Sequence, residues 1–96
     1  MTDSELLDTV CNALQRTLGT EAVPAPLPPS CVPLESIKGF DSLGAVEVEA
    51  VVEEMLHIEL KGRTLFWAGA NHSPCSLSHA VSVLRELVPN QPTGVT

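Results

Sequence analysis

The sequence predicts an all-α fold in a single domain, and three observations predict it. The chain has only two Phe, one Trp and no Tyr, so its core must be built from Leu, Val and Ala, which suit packed helices better than a sheet. Apolar residues recur at helical spacing in three separate stretches. Finally, 96 residues with 44% hydrophobic content can bury one modest core and leave no room for a separate catalytic lobe.

The first stretch runs from Ser4 to Leu18, where Leu6, Leu7, Val10, Ala13, Leu14 and Leu18 share a face and Gly19 supplies a stop. The segment from Thr20 to Phe40 then carries Pro24, Pro26, Pro28, Pro29 and Pro33. Proline removes backbone donors and disfavours helix at the residue before it, so this segment reads as a long ordered loop. A loop of that length is uncommon in a compact domain and calls for a functional reason.

The second long helix starts at Asp41 or Ser42, both good N-cap types, and ends near Leu56 or His57. After Lys61-Gly62, the apolar run Leu65-Phe66-Trp67-Ala68 stops at Gly69 and is expected to form a short third helix of one or two turns. Ser73-Pro74 or Ser76 opens the last helix, whose face is Leu77, Ala80, Val81, Leu84, Leu87 and Val88, and Pro89 ends it. The expected domain therefore covers residues 1–89, with residues 90–96 as a flexible C-terminal tail.

Twelve acidic against five basic residues give a formal net charge of −7, which argues against nucleic acid as a partner. Such a surface suits fast, salt-sensitive encounters with basic patches on other proteins, or simply keeps a small protein in solution. Cys11, Cys31 and Cys75 are odd in number and unpaired in spacing, the pattern of reduced thiols in a cytoplasmic protein. The acidic start, Met1-Thr2-Asp3-Ser4-Glu5, is unlike a signal peptide, and no apolar run approaches the ~20 residues that span a bilayer. A monomer with no membrane association is expected.

Around the second long helix, Gly44, Ala45, Val48, Val51, Val52, Met55 and Leu56 fall on one broad arc, the expected core face. The opposite arc gathers Leu43, Val46, Glu47, Ala50, Glu53, Glu54 and His57. Aliphatic residues bordered by carboxylates suit docking onto an apolar groove with a basic rim. From pattern alone two other readings stay open: the long loop covers Leu43 and Val46, or they are ordinary surface aliphatics. Glu49 lies between the arcs and is expected to be solvated at the core edge.

Gly39-Phe40-Asp41-Ser42-Leu43 sets a hydroxyl at a helix start, where unpaired N–H groups and the positive dipole end favour an added phosphate. Asp41 can cap the helix or help hold a divalent ion during phosphoryl transfer. Taken alone, Asp-Ser before a helix is also simply a cap. No histidine lies near Ser42 and no Gly-x-Ser-x-Gly elbow surrounds it, so beyond a cap the serine reads as a candidate substrate for modification and not as the nucleophile of an enzyme.

Gly39-Phe40-Asp41-Ser42-Leu43, followed by Val46-Glu47 and Glu53-Glu54, resembles the phosphopantetheine attachment motif and recognition helix of acyl carrier proteins. The resemblance extends over the plan from about Ser4 to Val88. It implies a four-helix bundle with a long loop between helices one and two and a short third helix, and no intrinsic catalytic activity. It further implies that a phosphopantetheinyl transferase uses coenzyme A to load a 4′-phosphopantetheine arm onto Ser42, flanked by Asp41 and Leu43. The arm's thiol would carry acyl thioesters to acyl-loading, condensing or acyl-transferring enzymes of fatty-acid, polyketide or related biosynthesis. Leu43, Val46, Glu47, Ala50, Glu53 and Glu54 would form the docking face for these partners.

Three features depart from the family pattern. Lys38 stands where an apolar residue is common, Glu49 where an aliphatic one is, and Lys61 to Cys75 has diverged around Phe66-Trp67. Phe40-Asp41 before the serine, in place of the Gly-His of many peptidyl carriers, leans toward acyl cargo. A peptidyl or aminoacyl carrier of a nonribosomal system shares the arm, and an unmodified helical adaptor would keep only the docking face. His72, Cys75 and His79 have a spacing that metal ligands can use, but without a fourth ligand no metal site is expected.

Overall fold

The computed structural model describes residues 2–23, 27–69, 71 and 73–88. It is mostly helical, with a small two-stranded sheet. Helix α1 spans Asp3–Leu18. Thr2 and Glu5 close a reciprocal capping box at its start, and Gly19, at φ 97°, ends it by donating its N–H to the Gln15 carbonyl. Leu6, Val10, Ala13 and Leu14 are buried, as their spacing predicts.

The described residues of the Pro-rich segment are held by named contacts. Val23 is fully buried, and its carbonyl accepts from the Gln15 side chain at 2.9 Å. Pro33 at the first helical position starts a single helical turn, α2, Pro33–Ser36. Helix α3, Ser42–Leu56, follows, and His57 closes it in the left-handed conformation. Helix α4 spans Leu77–Leu87. Ser76 makes no side-chain cap there; instead the Leu77 and Ser78 N–H groups donate to the carbonyls of Cys31 and Pro29 at 2.8 and 2.9 Å. The long loop thus supplies the acceptors that a helix start needs.

The expected short third helix is not what residues 65–68 form. They lead into β1, Trp67–Ala68, which pairs antiparallel with β2, Ser73–Pro74, in the register Trp67 to Pro74 and Ala68 to Ser73. Pro74 has no N–H to give the ladder, which suits a ribbon of only these two residue pairs. The Cys75 N–H closes it on the Phe66 carbonyl at 2.9 Å. The fourth helical element lies instead before α3, as α2.

Helix α1 is central and packs against both α3 and α4. Leu6, Val10 and Leu14 meet Ala45, Val48 and Val52 of α3 and Leu77, Ala80 and Leu84 of α4 in one core, which Leu65 and Phe66 complete from the ribbon. Among the described residues no helix is long and apolar enough to cross a membrane. The expected C-terminal tail, residues 90–96, lies outside the described residues.

Candidate functional site

Ser42 is the first residue of α3 and is exposed. The turn that delivers it is built from three neighbours. Gly39 adopts φ 83°, a conformation that side-chain-bearing residues rarely take, and so reverses the chain after α2. Phe40 then turns inward to 5% exposure, while Asp41 stays outside. Asp41 Oδ1 accepts the Gly44 N–H at 2.9 Å, satisfying one of the four amides that a helix start leaves without intrahelical partners. Of the two roles open to Asp41, capping is the one this geometry engages.

Gly44 has its own reason. A Cβ at this position would lie 3.3 Å from Phe40 Cδ1, so the ring sits directly under the first turn of α3. Its other contact is Phe66, edge to face at a centroid distance of 5.3 Å and an interplanar angle of 90°. Ser42 therefore stands on a helix turn that the buried Phe40 ring wedges from beneath, with Phe66 packed against that ring.

The two arcs of α3 separate as their spacing predicts. Gly44, Ala45, Val48 and Val52 are buried, and Val51, Met55 and Leu56 are half-buried. Leu43 is 72% exposed and Val46 53%, which makes them the exposed large hydrophobics among the described residues. The described part of the loop does not cover them. Glu47, Ala50 and Glu54 are exposed beside them, giving an apolar strip with an acidic border that begins next to Ser42.

Glu53 differs from its neighbours. It is half-buried, and its Oε2 accepts the Leu60 N–H at 2.8 Å, so it ties down the chain leaving α3 as well as facing the border. Glu49, expected at the solvated edge, is buried instead: it is 8% exposed, and its Oε2 accepts the Leu65 N–H at 2.7 Å. Burial pushes its carboxyl above the ordinary range; the Leu65 N–H pulls it down and the nearby Glu53 adds to the rise. Helical spacing could have found this residue, because 49 falls four after Ala45 and three before Val52, both buried.

No cluster of metal-ligating side chains exists among the described residues, and His72 of the considered trio lies outside them. A groove of about 590 Å³ lies between α1 and α4, lined by Leu7 and Val81 and bordered by the Asp3–Arg85 ion pair. Neither Ser42 nor the α3 strip contributes to it. Comparisons with protein-family models, with curated proteins and with solved structures find no match for this chain.

Proposed function

We propose that this chain is a carrier protein of the acyl carrier type, modified on Ser42 by a 4′-phosphopantetheine arm. The single observation that supports it best is the exposed hydroxyl at the tip of α3, beside an exposed Leu43 and Val46 with an acidic border. A phosphodiester at a helix N-terminus is favoured by the dipole and the unpartnered amides. A transferase needs the hydroxyl accessible and a surface to hold the carrier, and both lie within the first turns of one helix.

In this reading the chain performs no chemistry itself. The transferase breaks the pyrophosphate bond of coenzyme A, the Ser42 oxygen takes the phosphopantetheinyl group, and the adenosine bisphosphate leaves with the other phosphate. The arm then ends in a thiol on which partner enzymes form a thioester with an acyl group. Tethering keeps the cargo at high effective concentration for whichever partner is docked. The Phe40-Asp41 pair before the serine favours acyl over aminoacyl cargo.

Incubation of the chain with coenzyme A and a broad-specificity phosphopantetheinyl transferase, followed by intact mass, tests this reading. One added phosphopantetheinyl group on the wild type and none on Ser42→Ala is the expected result. No addition to the wild type would leave the unmodified adaptor in its place. Offering the loaded protein an adenylating enzyme and, separately, an acyltransferase distinguishes aminoacyl from acyl cargo by which one charges the thiol.

A further inference from the structure

Glu49 is a buried carboxylate on the inner face of the helix that bears Ser42, and it does not touch Ser42. Its Oε2 receives the N–H of Leu65 at 2.7 Å. Leu65 and Phe66 are both fully buried, so fixing the backbone at Leu65 fixes where the Phe66 ring enters the core. The Phe66 backbone is fixed a second time where its carbonyl accepts the Cys75 N–H at 2.9 Å. Phe66 meets Phe40 edge to face, and Phe40 lies under the Gly44 turn and immediately before Asp41 and Ser42.

A buried carboxylate carries a desolvation cost that an aliphatic side chain would avoid. What it provides instead is directional: one acceptor oxygen places one backbone amide, where apolar packing alone would tolerate sliding. We propose that Glu49 is a positioning residue for the Ser42 turn, acting through Leu65, Phe66 and Phe40. The proposal deepens the carrier reading and rests on it for its catalytic consequence, whereas its structural part can be measured on the unmodified chain.

The experiment uses the full chain as wild type, Glu49→Gln, which retains an acceptor oxygen, and Glu49→Met, which retains bulk without one. Amide hydrogen exchange at Leu65 and Gly44 is read by NMR, and transferase kinetics with coenzyme A are read as separate kcat and KM values. In Glu49→Met, exchange at both amides is expected to quicken about tenfold, and kcat to fall about fivefold with KM nearly unchanged. Glu49→Gln is expected to restore both. Faster exchange at Leu65 with Gly44 unchanged, or a Glu49→Met kcat equal to the wild type, would overturn the proposal. Should Glu49→Met not fold, Phe66→Leu interrupts the same path one step later, and wild-type exchange at Gly44 in that variant would overturn it equally. If the wild type accepts no arm, the carrier reading fails, and the exchange pattern alone decides the role of Glu49.

Discussion

At the scale of single residues, the balance around Glu49 sets a pH dependence of stability. Burial and the neighbouring Glu53 raise its carboxyl in the folded chain above the ordinary value of 4.5, against the opposing pull of the Leu65 N–H. A folded state that holds a proton more tightly than the unfolded chain gains most from that group at low pH and loses the gain as pH rises through the raised value. Glu49→Gln, which does not ionise, is therefore expected to gain stability relative to the wild type as pH rises above 4.5, measured by urea midpoints at each pH. Glu49→Met leaves the Leu65 N–H without its acceptor and is expected to lose about 1–3 kcal/mol. In the sequence, position 49 has the spacing of a core residue and the charge of a surface one. Charge decided the expectation, and the buried acceptor went unseen because the backbone amide it serves lies 16 residues away. The start of α3 at Ser42, by contrast, was legible at once, since its cap, glycine and aromatic are contiguous in the chain.

At the scale of elements, α3 has one face in the core and another whose aliphatics no part of the described chain covers. Replacing both Leu43 and Val46 with Ser is expected to change stability by less than about 1 kcal/mol, since neither side chain supports the core. The same change is expected to raise the KM for the transferase about tenfold, as loss of central apolar contacts does at interfaces. Unchanged KM in a folded double variant would show that the strip is not the docking face. The three long helices were legible because each combines sustained periodicity with a local start or stop, such as Gly19 or the Asp41 cap. The ribbon was not. Residues 65–68 are a short apolar run with no period of their own, and what makes Trp67–Ala68 a strand is pairing with Ser73–Pro74, a contact across a turn that the Cys75 N–H extends to Phe66. Likewise Ser76 announces the start of α4, but the acceptors for its first amides come from Pro29 and Cys31, far away in sequence.

At the scale of the whole molecule, a net charge of −7 sets the terms on which partners approach. Association with a transferase of basic surface is expected to slow about tenfold between low and physiological salt, measured by stopped flow, while the bound complex changes less. The exposed ion pairs Arg63–Glu86 and Arg85–Asp3 neutralise two of the five cations, leaving the acidic border of α3 unopposed by them. Exposed pairs of this kind add little to stability. Charge sign and the identity of the acidic helix face were both legible in composition and spacing, whereas the way α1 organises α3 and α4 required the coordinates. Everything proposed for the molecule converges on one oxygen atom, and the most direct measurement is mass spectrometry of the Ser42 peptide in protein isolated from its own cells. The carrier account predicts a phosphopantetheine arm on that serine, free or acylated. A bare Ser42 in cells with an active transferase, or an arm attached to another residue, would contradict it.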